Sequence, residues 1–212
     1  MGALARELSV DPDRDIAEVA RFFSRVVAGP GRQDCWLWTG AIGDDAYGRF
    51  AIRREGRLRM VRTPRYALAV AAGGRALEGH LRALHECDVP MCVRVITAEE
   101  LRSGVRPHVV AGTQQENMER MARARRGGGT PAVIARRAGV KARREQALAL
   151  RAAVRSGWDG AAVEAALLDM KWSALTPQQA AALDTPEKVD AFERRSLQEL
   201  GLEIDLGPPR YR

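Results

Sequence analysis

Apolar side chains recur at helical spacing over Asp13–Ala28, where Ile16, Val19, Ala20, Phe23, Val26 and Val27 fall on one face, and Gly29-Pro30-Gly31 closes the run. This pattern predicts an opening amphipathic helix. The pattern then shortens. Cys35–Gly40, Tyr47–Ile52 and Arg57–Val61 are brief aromatic or β-branched stretches separated by Gly/Asp turns and by Arg-Glu-Gly, as expected of a small antiparallel sheet. Thr63–Ala72 returns to a helical pattern with Pro64 early in it, Leu84–Met91 forms a compact polar knot, and Gly112–Arg126 reads as helix again.

Gly127–Pro131 (GGGTP) is the obvious break, because three consecutive glycines make ordered structure entropically expensive. The expected organisation is therefore an α+β domain over 1–126 with an N-terminal helix and small sheet, a linker over 127–131, and a helical region over 132–212. Within that region Ala132–Ser156, Asp159–Met170, Thr176–Leu183 and Glu187–Leu200 read as helices, and Val163–Leu183 is long enough for a helix-turn-helix. The region is expected to serve DNA contact or dimerisation.

Composition narrows the class. With 212 residues, 46% of them hydrophobic, the chain can bury a substantial core. No run reaches the roughly 18 apolar residues of a membrane span, and Arg6 and Glu7 interrupt the stretch where a secretory signal would be apolar. A soluble, cytoplasmic protein with no membrane partner is the expectation. The net charge of +7 favours a polyanionic partner. It is concentrated between Arg120 and Arg155, where Arg120, Arg123, Arg125, Arg126, Arg136, Arg137 and Lys141 begin a set of eleven basic residues opposed by Glu145 alone. Arg49, Arg53, Arg54, Arg57 and Arg59 form a second basic group on the predicted strands, where a two-stranded ribbon suits the major groove and Arg pairs bidentately with guanine. Each basic group can equally be a solvated surface.

Three cysteines are too few for a disulfide framework, which leaves metal ligation or inert burial. In His85-Glu86-Cys87-Asp88-Val89-Pro90-Met91-Cys92 two thiols stand five positions apart across a proline turn, a spacing suited to one zinc ion. Cys35 supplies a third sulfur and His108 a candidate fourth ligand. Two further residues carry chemistry of a different kind. His85 precedes the knot and can take a proton from water at neutral pH, and Asn117 can offer an amide oxygen to a hard divalent cation.

The ordered blocks Cys35-Trp-Leu-Trp-Thr-Gly, Tyr47-Gly-Arg-Phe, Leu84-His85-Glu-Cys87-Asp88, Pro90, Cys92-Val93 and His108…Gly112-Thr-Gln-Gln-Glu-Asn117-Met resemble the HNH (His-Me finger) endonucleases, most nearly the phage HNH group and the His-Cys box homing endonucleases. The resemblance runs from about Phe22 to Arg126. It implies a ββα-metal nuclease core and a sequence-specific double-strand DNA endonuclease of phage or homing type, with restriction and packaging nucleases, or a zinc-stabilised DNA-binding regulator that no longer cuts, as alternatives. His85 matches the water-activating histidine and Asn117 the ligand of a single catalytic Mg²⁺ or Mn²⁺. Cys35, Cys87, Cys92 and His108 match structural Zn²⁺ ligands, and Arg65 falls where these enzymes carry an arginine on the scissile phosphate. One active site per chain implies a homodimer for cutting both strands. The departure lies after Cys92-Val93, where an insertion of about ten residues stands before Pro107-His108.

Overall fold

A computed structural model describes residues 7–123 and 133–173, with side chains over 7–120 and 140–167. Its elements in chain order are α1 (Ile16–Phe23), β1 (Val26–Ala28), β2 (Trp36–Trp38), β3 (Arg49–Arg54), β4 (Arg57–Arg62), α2 (Thr63–Ala71), β5 (Arg82–His85), α3 (Ala98–Arg102), β6 (Val109–Gly112), α4 (Gln114–Arg123), α5 (Val133–Val154) and α6 (Gly160–Ser173). The strands pair as three separate antiparallel ribbons, β1 with β2, β3 with β4 and β5 with β6, where the sequence suggests one small sheet. The architecture is α+β.

The opening helix is shorter than its pattern predicts. It stops at Phe23, and Val26–Ala28 instead pairs with β2 in the register Val26↔Trp38 and Ala28↔Trp36. Two adjacent β-branched valines lose less rotamer freedom in a strand, and β2 supplies their backbone groups with partners. The inward residue of α1 is also different. Phe22 is buried, whereas Ile16 and Phe23 on the predicted face are exposed.

Phe22 is the centre of the core. Its ring lies 5.2 Å from Trp38 in a stacked arrangement, 5.2 Å from Phe50 and 4.6 Å from Tyr66. These rings arrive from α1, β2, β3 and α2, so one aromatic cluster ties together four elements. The β3–β4 ribbon turns at Glu55-Gly56, both with positive φ (52° and 73°), the twist that a two-residue hairpin requires and that Gly56 adopts without penalty. Pro64 sits in the first turn of α2, where its missing N–H costs nothing.

Ala147, Leu150 and Val154 of α5 and Val163 and Ala166 of α6 belong to the same buried cluster as Phe22 and Trp38. One compact unit spans Met1–Met170; the second, Lys171–Arg212, lies almost wholly outside the described residues. The linker 127–131, the helices expected over Thr176–Leu183 and Glu187–Leu200, and the later part of the helix-turn-helix expected over Val163–Leu183 also lie outside them. No helix among the described residues is long and apolar enough to cross a membrane.

Replacing Phe22 with Ala removes the ring shared by all three aromatic contacts. Chemical denaturation of this variant is expected to show a loss of about 3–5 kcal/mol, the range for a large buried aromatic.

Candidate metal centre and its surroundings

Three segments converge to bring Cys35, Cys87, Cys92 and His108 together. Cys35 directly precedes β2, and β2 is stitched to the loop after β5: Trp38 donates its backbone N–H to the Met91 carbonyl at 3.1 Å, Val93 donates to Trp36 at 2.9 Å, and Leu37 bridges to Cys92. Within that loop Cys92 donates back to the Val89 carbonyl at 3.0 Å, and Asp88 turns the chain in the left-handed region (φ 57°), which Asp tolerates better than most residues. His108 is delivered by the third ribbon, where Val109 pairs with His85 and Glu86 donates to the His108 carbonyl at 2.8 Å.

The four ligand atoms all lie within 4.8 Å of one another. The Nδ1 atom of His108 stands 3.5 Å from Cys35 Sγ and 3.7 Å from Cys92 Sγ. A tetrahedral zinc ion with its usual Zn–S and Zn–N bond lengths sets sulfur and nitrogen ligands about 3.6 Å apart, so the cluster fits such an ion. Cys92 and His108 are buried, Cys35 and Cys87 half-buried, and all three cysteines are free thiols. The sulfurs perturb one another. Hydrogen bonding to Cys87 and Cys92, with burial, pushes the Cys35 thiol far up. Burial pushes Cys92 up too, but hydrogen bonds from Cys35, Cys87 and the Arg94 and Trp36 amides outweigh it and hold Cys92 well below the ordinary thiol range. A divalent cation bound there would take the place of the thiol protons. The site can hold a metal ion such as zinc.

The ten residues before Pro107 do not displace His108. They contain α3, closed by a capping box in which Thr97 and Glu100 exchange side-chain and backbone bonds of 3.1 and 2.8 Å. Glu100 also receives the buried Arg94 guanidinium at 3.1 Å, while Arg94 donates to the Asp34 carbonyl at 2.7 Å, next to Cys35. The excursion is therefore fastened to both ends of the cluster.

His85 is the last residue of β5. Both of its ring nitrogens are shielded from solvent and have no hydrogen-bond partner among the described residues; the Tyr47 ring faces it at 5.7 Å. Asn117 lies on α4, which opens with a second capping box, Thr113 with Glu116. The Thr113 N–H holds the Glu116 carboxyl below the usual range. One turn beyond Asn117, Arg120 pairs with Glu86 at 2.5 Å. Residues three apart share a helix face, so this ion pair turns the Asn117 side of α4 toward the end of β5.

The arginines divide. Arg65 is half-buried and donates to the backbone carbonyls of Leu77, Glu78 and Leu81, bracing the loop that leads into β5; burial and neighbouring Arg82 lower its pKa. On the β3–β4 ribbon the register puts Arg49, Arg53 and Arg62 on the face shared with Leu58 and Met60, and Arg54, Arg57 and Arg59 on the face shared with buried Phe50 and Ile52. Arg54 pairs with Glu18 at 2.8 Å and Arg59 with Glu55 at 3.7 Å. Arg53 and Arg57 are exposed. Lys141 faces Glu145 at 3.7 Å on α5. The side chains of Arg123, Arg125, Arg126, Arg136 and Arg137 lie outside those described.

Three residues beside His85 escape a reading of spacing: Tyr47, Asp45 and Arg62. Asp45 accepts from Arg49 at 2.7 Å and Arg62 at 2.6 Å, and Arg62 lies over the Tyr47 ring at 4.6 Å. Tyr47 stands in the conspicuous Tyr-Gly-Arg-Phe block, but only the fold reveals its two neighbours.

Comparison with protein-family models, curated proteins and solved structures finds no match.

Metal analysis of the purified protein is expected to find one zinc per chain, and none in Cys92→Ser. Because protons compete for thiolates and imidazole, a chromogenic zinc reporter should register release as pH falls below neutral, and a chelator should lower the melting temperature.

Proposed function

We propose that this protein is a ββα-metal endonuclease of the HNH type that hydrolyses phosphodiester bonds in double-stranded DNA. The observation that carries the reading is His85, held at the end of β5 with both ring nitrogens unengaged, directly before a loop fastened by a four-residue metal centre. A buried polar atom left unpartnered costs about 1–3 kcal/mol, so such an imidazole suits a group that engages substrate or water. The chain order β5, metal-centre loop, β6, α4 supports the reading, as does Asn117 on the α4 face turned toward His85.

In this mechanism the cysteine-histidine centre is structural. Cys35, Cys87, Cys92 and His108 would hold the ion with four protein ligands, and the ion would stabilise the loop that positions His85. His85 accepts a proton from the water that attacks phosphorus, and the Tyr47 ring limits how the imidazole can turn. The Asn117 amide oxygen would hold Mg²⁺ or Mn²⁺, which when bound supplies charge neutralisation at the phosphate. Arg65 contributes by bracing the 77–81 loop against α2, a positioning role. Affinity for duplex DNA comes from the outward arginines of the β3–β4 ribbon and from the basic 120–155 segment. With one such site per chain, double-strand cutting calls for a homodimer.

Purified protein with Mg²⁺ is expected to nick or linearise supercoiled DNA. His85→Ala should lower the cleavage rate by about 10²–10⁴-fold, the usual contribution of a general base, while retaining DNA binding and zinc. Wild-type protein that binds DNA with an intact zinc centre and does not cut would establish a DNA-binding regulator instead.

A further inference from the structure

The loop 43–47 gathers more charge than its fold requires. Asp45 bridges two arginines, with Oδ1 at 2.7 Å from Arg49 and Oδ2 at 2.6 Å from Arg62, and Arg144 of α5 approaches the neighbouring Asp44 at 3.5 Å. Three guanidinium groups from β3, β4 and α5 therefore meet two carboxylates, leaving the group cationic. The members differ in freedom. Arg49 is packed against Gly43, and its Nη1 is shielded without a hydrogen-bond partner. Arg62 is half-exposed (53%) and lies over the Tyr47 ring at 4.6 Å. Tyr47 is also the ring that faces His85, so one aromatic side chain separates the Arg62 guanidinium from the His85 imidazole.

A carboxylate and a phosphate present the same paired oxygens to guanidinium, and the phosphate carries its charge on a backbone of like charges. The Arg62 arm is exposed enough that its ion pair contributes little stability, so a polyanion can displace the carboxylate there. We infer that Asp45 is an internal stand-in for DNA phosphate: it occupies Arg62 and Arg49 beside His85 until a backbone phosphate replaces it, and thereby restrains binding to DNA of arbitrary sequence. A duplex making only weak backbone contacts fails to dislodge Asp45, whereas one docked along the whole surface does. The inference rests on the nuclease reading of His85 and assigns that site a specificity-determining residue. The carboxylate remains available for this role because Arg49 and Arg62 outweigh the effect of burial and hold it below the usual range.

The test is Asp45→Asn, which keeps the shape and removes the charge. Binding to a short random-sequence duplex is measured across a salt series beside the wild type, Arg62→Gln and the double variant. Asp45→Asn is expected to bind several-fold tighter, with a log affinity against log salt slope steeper by about one phosphate contact, and to nick random-sequence DNA faster than the wild type. Arg62→Gln should weaken binding and flatten the slope, and the double variant should lose the gain. Unchanged affinity and slope in an Asp45→Asn protein with native melting behaviour would overturn the inference, as would a gain that survives in the double variant. If Asp45→Asn does not fold, Arg62→Gln decides alone: an unaltered slope overturns the inference. Wild-type protein that binds no duplex overturns the nuclease reading and this inference together, whereas wild-type cutting with unresponsive variants overturns only the inference.

Discussion

The seam between β2 and the loop after β5 is the constraint on which the rest depends. Three backbone contacts along Trp36–Trp38 hold Met91, Cys92 and Val93, and this brings Cys35 to Cys92 from the far side of the domain. His108 completes the cluster, and the strand that begins at Val109 pairs with the strand that ends at His85. A shift of one residue along the seam would turn Cys92 to the opposite face, because side chains alternate along extended chain. The sulfur cluster and the position of His85 would be lost together.

The same strand anchors the core. Trp38 is fully buried and stacked on Phe22, while Leu37 beside it bridges to Cys92. Packing energy and site geometry are thus joined in a three-residue strand. The nearby excursion is held likewise, by Arg94 reaching both Asp34 and Glu100. That guanidinium is 6% exposed, and its partners offset part of the cost of burying its charge. A ribbon as short as β5–β6 has little stability of its own, so its rigidity is borrowed from these attachments.

Much of the site was legible in the sequence. The three cysteines and His108 form a set because zinc chemistry restricts ligand types, and the fold brings all four together across the insertion after Cys92-Val93. The helices expected over Thr63–Ala72 and Gly112–Arg126 are found as α2 and α4, although Gly112 instead ends β6 and α4 starts at Gln114. Val26–Ala28 and Val109–Gly112 were not assigned as strands, since three or four residues carry no periodicity and only their partners decide their conformation. α3 was missed although Thr97 and Glu100 stand at capping-box spacing. The Asp45, Arg62 and Tyr47 cluster was illegible for a deeper reason: it depends on hairpin register, which places Arg62 opposite Arg49, and spacing along the chain contains no such information.

Charge illustrates the limit of composition most clearly. The excess of basic residues suggests a broad polyanion surface, yet much of it is spent internally. Arg54 is held by Glu18, Arg65 by three carbonyls, Arg94 by Glu100, Arg120 by Glu86, and Arg151 donates to the Gly40 carbonyl at 3.3 Å, helping fasten α5 to the core. What faces outward on the ribbon is a smaller and more discriminating surface, in which Arg53 and Arg62 alternate with exposed Leu58 and Met60. Such a face offers guanidinium groups to phosphates or guanines and apolar contact to thymine methyl groups. On the proposed DNA-binding reading, bulk charge contributes less affinity than the net charge of +7 suggests, and shape and register contribute more. That is the regime in which one carboxylate, Asp45, could act as the proposed stand-in for phosphate.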